Sequence, residues 1–277
     1  MDHAELYSRA AREISSADAL LIGAGAGMGV DSGLPDFRGN EGFWKAYPPF
    51  KGRPFASMSN PQWFVADPQL AWGFMGHRMQ LYRDTTPHAG FDILLRWASR
   101  MPAGFFVFTS NVDGQFQKAG FPDDRIIECH GSIHHLQCLK LCRQSIWSAR
   151  DTRVTVDMST VRATSALPRC PHCNGFARPN VLMFGDWGWL ADRSEKQYAR
   201  YHAWLREVRG KKVVAIEMGA GLAIPTVRIE CEQRATALIR VNPRDPDVPA
   251  GAISLPVGAL AALSAIDPLT TSRLCAP

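Results

Sequence analysis

Short, continuous runs of apolar residues recur along the chain, separated by longer segments in which apolar positions return at helical spacing. Continuous runs are typical of strands covered on both faces of a parallel sheet. They predict strands at Ala19–Ile22, Gly104–Thr109, Ile126–Cys129, Val213–Met218 and Ala237–Val241, and a segment at Val181–Phe184 that returns to the main body. The helical spacing predicts helices over Asp2–Ser16, Asp67–Tyr82, Gly90–Ser99 and Ser194–Arg209. This alternation predicts an α/β fold around a parallel sheet.

A glycine-rich turn follows the first predicted strand. Glycines at positions 23, 25, 27 and 29 let the backbone turn sharply and approach a ligand closely. A strand running into such a turn presents backbone N–H groups to a pyrophosphate in many α/β proteins. The strict G-x-G-x-x-G spacing is not met, because position 30 is Val. The turn continues into SGLPDFR (Ser32–Arg38), which adds an acid, an aromatic ring and a fixed cation, whereas a purely structural turn needs only the glycines.

Polar residues follow several of the other predicted strands. Asn111 and Asp113 come after Thr109, His130 follows Cys129, and Asn242 follows Val241. Because the carboxyl ends of parallel strands share one edge of a sheet, these side chains are expected around one ligand crevice. An Asn-x-Asp-Gly turn and a hydrogen-bonded structural histidine are the alternative interpretations.

Four of the seven cysteines have the paired spacing of a metal site. Cys138 and Cys142 form C-x3-C, Cys170 and Cys173 form C-x2-C, and 27 residues separate the pairs. Four thiolates suit a tetrahedral, structural zinc ion. The alternatives are free buried cysteines, or a site in which another ligand such as His172 replaces one thiolate.

Composition narrows the range of partners. The 277 residues are 46% hydrophobic and carry a net charge of +5, with the basic residues scattered rather than arranged in a nucleic-acid-binding stripe. No apolar run reaches the length of a membrane span, and the first residues lack a signal peptide's basic and apolar regions. We therefore expect a cytosolic protein without disulfides that binds neither nucleic acid nor membrane. The pattern leaves the oligomeric state open, with a monomer as the default.

Six motifs in order resemble those of the sirtuins, the NAD-dependent protein deacylases. They are Gly25-Ala26-Gly27 with SGLPDFR, TSNVDG from Thr109, ECHGS from Glu128, RPNVLMFGD from Arg178, Gly219-Ala220-Gly221 and Val241-Asn242-Pro243. The resemblance covers residues from about 19 to about 260. It implies a Rossmann-like parallel-sheet domain with a smaller inserted zinc-binding and helical module. We divide the chain into a large NAD-binding part, about 1–40, 88–133 and 178–277, and a small module, about 41–87 and 134–177.

The resemblance also implies an activity and residue roles. An acyl group on a protein lysine is removed at the expense of NAD, releasing nicotinamide and O-acyl-ADP-ribose. His130 acts as general base, and Asn111 joins it in catalysis. The implied NAD-binding residues are Gly25, Ala26, Gly27, Asp36, Phe37, Arg38, Ser110, Asn111, Asp113, Gly219, Gly221 and Asn242. The implied zinc ligands are Cys138, Cys142, Cys170 and Cys173.

Substrate contacts follow from the same resemblance. Val181, Phe184 and Gly185 lie in the segment that pairs with an extended, acyl-lysine-bearing peptide. Arg78 stands where some sirtuins bind acidic acyl groups, but Met75 replaces the usual tyrosine partner. A solvated helix arginine is the alternative for Arg78.

Departures from the family pattern keep other functions open. Gly29, Ser110, Ala220 and Gly221 replace residues that usually carry hydroxyl or amide groups. An ADP-ribosyltransferase or NAD hydrolase on the same fold is one alternative. A non-catalytic module that binds NAD or ADP-ribose is the other.

Overall fold

The computed structural model describes residues 3–35 and 40–271. Its strands are β1 (Ala19–Ala24), β2 (Phe105–Thr109), β3 (Ile126–Glu128), β4 (Gly131–Cys138), β5 (Ile146–Ser148), β6 (Val156–Asp157), β7 (Arg162–Ala163), β8 (Ala177–Val181), β9 (Val213–Met218), β10 (Ala237–Val241) and β11 (Ile253–Leu255). Its α-helices are α1 (His3–Ser15), α2 (Asn40–Ala46), α3 (Phe55–Met58), α4 (Trp63–Ala66), α5 (Pro68–Asp84), α6 (Ala89–Ala98), α7 (Gln115–Lys118), α8 (Asp192–Glu207), α9 (Thr226–Arg234) and α10 (Ala259–Thr271). The four predicted helices are confirmed with shifted ends. None of the described helices has the length and apolar character needed to cross a membrane.

The larger sheet is parallel throughout, in the order β3-β2-β1-β9-β10-β11. Numbered within the sheet alone, this is 3-2-1-4-5-6, the doubly wound order of dinucleotide-binding folds. The direction of winding reverses between β1 and β9. In such sheets the ligand crevice lies at the carboxyl ends of the strands at that reversal. The predicted parallel sheet is confirmed.

Both faces of this sheet are covered by helices. In β1, Leu20 and Ile22 pack into a core with α1, α6 and α10. The alternate residues Ala19 and Leu21 pack into a second core with α8 and α9. All four side chains are inaccessible to solvent. Two-sided burial explains why the strand is a continuous apolar run in the sequence.

A second body, the small lobe, consists of α2–α5 with the antiparallel sheets β5-β4-β8 and β6-β7. Its core is rich in aromatic rings, and the centroids of Phe43, Tyr47, Phe50 and Phe74 lie 5.0 to 6.0 Å apart. The division of the chain by residue number into a large part and a small module stays a prediction.

The segment Val181–Phe184 does not return to the parallel sheet, so that prediction was wrong. Strand β8 ends at Val181 and pairs with β4 of the small lobe. Beyond it, the N–H of Leu182 donates to His130 O at 2.9 Å and that of Phe184 to Ser59 O at 2.9 Å. Val181 and Met183 are buried in the small-lobe core, while Leu182 and Phe184 are exposed. Only one face of this apolar segment is therefore buried, and the other face is exposed to solvent.

Candidate active site

Two glycine-containing turns meet at the carboxyl ends of β1 and β9. The Gly27 N–H donates to Gly219 O at 3.1 Å, and the Gly25 N–H donates to Met218 O at 2.9 Å. A Cβ on Gly25 would lie 2.6 Å from Gly219 O, and one on Gly219 would lie 2.4 Å from the Gly27 Cα. Gly219 also has a φ of +60°, a conformation that favours glycine. The glycines allow the two turns to touch, and binding of a pyrophosphate by these turns stays a prediction.

Two asparagines tie these turns to the neighbouring strands. Asn111 Nδ2 donates to Gly25 O at 3.0 Å. Asn242 Nδ2 donates to Ala220 O at 2.8 Å, and its Oδ1 accepts two backbone N–H groups beyond β10. Asn242 is completely buried, whereas Asn111 is half-buried. Asn242 thus fixes the second turn, and its predicted ribose contact stays a prediction.

Asp113 lies in the loop after β2, where its carboxyl group is almost entirely buried. Burial raises its pKa to about 6, while a backbone hydrogen bond from Gln115 and the charge of Arg78 act in the opposite direction. A carboxyl group that titrates near neutrality can accept or donate a hydrogen bond. Either state suits recognition of an amide, which has both donors and an acceptor.

His130 follows β3 at the same edge of the sheet. Burial lowers the pKa of its imidazole, and a hydrogen bond with the backbone of Ser110 partly offsets that effect. The ring is therefore neutral at pH 7 and able to accept a proton. Ser110 itself is held by a hydrogen bond from its N–H to Ala24 O at 3.1 Å. The structure thus links the turn after β1, the loop after β2 and His130.

His88 was not among the predicted site residues, yet it supports the first turn. Its Nδ1 accepts from the Gly90 N–H at 3.0 Å, so Nε2 carries the proton and donates to Met28 O at 3.0 Å. The His88 N–H donates to Ser32 Oγ at 2.9 Å. The sequence signal was its position directly before an apolar helix, where a side chain caps the helix N-terminus.

Arg78 is buried, so the alternative of a solvated helix arginine was wrong. Its side chain is 5% exposed, and Nε and Nη2 donate to the Tyr82 hydroxyl at 3.1 and 2.8 Å. The rings of Phe55, Phe74 and Tyr82 lie 5.3 to 5.7 Å from its guanidinium carbon. Sequence reasoning missed Tyr82, which contacts Arg78 from one turn further along α5. The predicted contact between Arg78 and substrate stays a prediction.

The segment predicted to bind peptide is shaped by an internal ion pair. Arg178 and Asp186 form a two-bonded pair at 2.7 and 2.9 Å, with both side chains at most 2% exposed. Asp186 also accepts from the N–H groups of Met183 and Gly188. Between Arg178 and Asp186 along the chain, Val181 at the end of β8 is buried, whereas Phe184 and Gly185 in the following loop are exposed.

The four predicted metal ligands converge. The Sγ atoms of Cys138, Cys142, Cys170 and Cys173 all lie within 4.8 Å of one another. The pairs Cys138–Cys173 and Cys142–Cys170 are each 3.6 Å apart. A tetrahedral zinc ion bound at about 2.3 Å places its sulfur atoms about 3.8 Å apart. The cluster therefore fits one zinc ion with all four thiolates, and the longer C-x3-C spacing is no obstacle.

Most of the predicted NAD-binding residues lie at one edge of the parallel sheet. Gly25, Ala26, Gly27, Ser110, Asn111, Asp113, Gly219, Gly221 and Asn242 all follow the carboxyl ends of β1, β2, β9 or β10. Asp36, Phe37 and Arg38 lie outside the described residues.

Comparison with known proteins agrees with this geometry. Residues 25–212 match the model of the Sir2 family. A protein named NAD-dependent protein deacylase from Aquifex aeolicus is 27% identical over 227 residues, covering 81% of this chain and 83% of that protein. A protein named NAD-dependent protein deacetylase from Saccharolobus solfataricus is 32% identical over 65% of this chain and 66% of its own length. A solved structure described as a Sir2 homolog–NAD complex shares the fold with a TM-score of 0.69 at 23% identity, covering 96% of this chain and 94% of that one. The chain belongs to the Sir2 family.

Proposed function

We propose that this protein removes acyl groups from lysine side chains of other proteins with consumption of NAD. The observation that carries the proposal is His130, a neutral imidazole held by the Ser110 backbone at the rim that also contains Asn111 and Asp113. Relatives named as deacylases and deacetylases support the same activity. The proposal includes action in the cytosol, where the zinc-ligating thiols stay reduced.

We assign a separate role in the reaction to each group of site residues. Bound NAD supplies an electrophilic ribose carbon at which the acyl oxygen displaces nicotinamide. The glycines of the two turns carry no side chains, so the pyrophosphate can approach the backbone closely there. Asp113 holds the nicotinamide amide, and Asn111 orients the ribose beside the turn that it braces. With NAD bound, His130 would take a proton from a ribose hydroxyl, so that the hydroxyl oxygen can attack the acyl carbon. Addition of water and cleavage of the bond from the acyl carbon to the lysine nitrogen would then release the free lysine.

Transfer of ADP-ribose to protein, or hydrolysis of NAD, is the competing activity. The small residues at Gly29 and Ala220, both buried, are departures that favour it. Neither competing reaction requires a base after nicotinamide has left. The dependence on His130 therefore separates the two proposals.

The test is His130→Ala with an acetyl-lysine peptide. Deacetylation should fall by about 10²-fold or more, because general-base catalysis contributes a factor of this size. NAD binding measured by calorimetry should remain. His202→Ala is the matched control, since His202 lies exposed on α8. Equal deacetylation by the His130 variant and the parent would refute the proposal.

A further inference from the structure

A second cavity lies outside the active site, between the start of β4, α7 and the first half of α8. Its volume is about 700 Å³, within the range of small-molecule binding sites. Residues 142–146 of the cysteine-bearing module close one side through Gln144 and Ile146. Its lining shares no residue with the cofactor site described above.

Three cations from α8 line this cavity. Arg193, Lys196 and Arg200 are spaced at i, i+3 and i+7, so they lie along one face of the helix. Lys196 forms no ion pair with any residue in the described ranges, and the Arg200 side chain makes only a long, 3.4 Å hydrogen bond to the Asp123 carbonyl there. Two cationic groups are thus available to a ligand.

Two residues on the lining of the same cavity have a polar atom without a hydrogen-bond partner. Arg193 pairs with Glu128 through Nη2, but its Nη1 is shielded from solvent and has no hydrogen-bond partner. His135 Nδ1 is likewise shielded and without a partner. Burial and, after it, the positive charge of Arg193 lower the pKa of His135. Buried polar atoms without partners are costly, so this wall of the cavity favours a polar ligand over an apolar one.

The cavity also contains two carboxylates. Asp123 and Asp192 are exposed on its lining, and neither forms an ion pair within the described part of the chain. Carboxylates accept hydrogen bonds from sugar hydroxyls, as they do from ribose in dinucleotide-binding folds. A ligand with an anionic end and a hydroxyl-bearing end matches this combination of charges better than a simple anion.

We propose that the cavity between β4 and α8 binds a phosphorylated sugar, with its phosphate on Arg193, Lys196 and Arg200 and its hydroxyls on Asp123 and Asp192. Phosphate oxygens accept from the exposed ammonium group of Lys196 and the exposed guanidinium group of Arg200. The guanidinium and ammonium groups make charge-assisted bonds of the kind that dominate phosphate recognition.

The position of the cavity connects it to the active site. His134, on its lining, donates from Nε2 to the Asp113 carbonyl at 2.8 Å. Ser132, also on the lining, lies two residues beyond His130. A ligand bound here would contact the backbone that positions both Asp113 and His130.

The test is calorimetry of the full chain with ribose 5-phosphate, inorganic phosphate and ribose as probes. Ribose 5-phosphate should bind, and more tightly than either of the other two. The double variant Lys196→Ala/Arg200→Ala should weaken its binding by about tenfold or more, because two charge-assisted contacts are lost. Both residues are exposed, so the variant should keep the parental melting temperature.

The matched control is Arg206→Ala/Arg209→Ala, which removes the same charge from two exposed residues, one in the last turn of α8 and one just beyond the helix. It should bind ribose 5-phosphate as the parent does. Equal loss in both double variants, or no loss in either, would place the binding elsewhere and overturn the proposal. Absence of binding would overturn it as well. Inorganic phosphate binding as tightly as ribose 5-phosphate would overturn the assignment of Asp123 and Asp192 to sugar hydroxyls.

Discussion

The parallel sheet and the small lobe are stabilised in different ways. The parallel sheet is covered on both faces by helices, and each of its central strands is buried from end to end. The small lobe has a three-stranded antiparallel sheet, whose outer strand β8 leads into a loop organised by Arg178 and Asp186. Its far end closes at the four cysteines. Both bodies have an apolar core, and the parallel sheet also contains a buried ion pair between Arg240 and Glu217. The small lobe differs in having, besides its aromatic core, a cluster of four cysteines and a loop held by one buried ion pair.

This difference predicts that loss of the cysteine cluster affects the small lobe more than the parallel sheet. Cys170→Ser should give the largest effect, because binding of a structural zinc ion contributes on the order of 10 kcal/mol to folding of its module. The parent should contain about one zinc per chain by atomic spectroscopy, and the variant should lose it together with small-lobe structure.

Cys129→Ala is the control for that experiment. Cys129 is buried beside His130 and outside the cysteine cluster, so zinc should be retained at a cost of about 1 kcal/mol. A parent protein that is folded and active without zinc would contradict the prediction.

The buried ion pair should give the next largest effect. Asp186→Ala leaves the Arg178 guanidinium unpaired at 2% exposure, which should lower the free energy of unfolding by about 3–5 kcal/mol. Arg96→Ala breaks the Arg96–Asp267 pair, in which the arginine is 48% exposed, and should cost about 0–1 kcal/mol. Urea denaturation measures both. Equal losses would show that burial of the first pair has no energetic consequence.

Two ionisable groups at the carboxyl edge of the parallel sheet should make kcat/KM fall in acid. Burial holds the pKa of His130 below 6.5, and it raises that of Asp113 to about 6. Both groups gain a proton as the pH falls, so kcat/KM should be level from neutrality to about pH 6.5 and then decrease by about tenfold per pH unit for each group required unprotonated. Asp113→Asn should remove one of these ionisations from the profile. A rate that rises towards acid would contradict the assignment of His130 as base.

The smallest effect concerns the choice of acyl group. The Tyr82 hydroxyl and the surrounding rings already hold Arg78, and the family's tyrosine position is Met75. We predict higher kcat/KM for acetyl or fatty acyl groups than for succinyl on one peptide sequence. Arg78→Met should change this ratio by only about fivefold or less, because the Arg78 donors that contact Tyr82 are already engaged within α5. A preference for succinyl that disappears in the variant would show that Arg78 binds the acyl carboxylate.

The sequence predicts the parallel sheet well because the rule behind it is local. A strand buried on both faces is apolar at consecutive positions, as in Ala19–Ile22, and polar residues directly after such strands fall at one edge. The expected return of Val181–Phe184 to the main body was not such a local inference, and it was wrong. In that segment Met183 is buried in the small-lobe core, whereas Leu182 is exposed to solvent.

Contacts between distant segments were not predictable from local pattern. His88 reaches Met28 across 60 positions, and nothing near either residue signals that hydrogen bond. The burial of Arg78 depends on Phe55, a residue from another helix. The cysteine cluster is the exception, because paired spacing is itself the signal of a shared ion.

The measurement that tests the central claim most directly is a product balance by mass spectrometry. Parent protein is incubated with NAD and an acetyl-lysine peptide, and each product is quantified. Deacylation predicts equal amounts of free-lysine peptide, nicotinamide and O-acetyl-ADP-ribose. Nicotinamide accompanied by free ADP-ribose, or by ADP-ribose attached to protein, with the peptide still acetylated would contradict it.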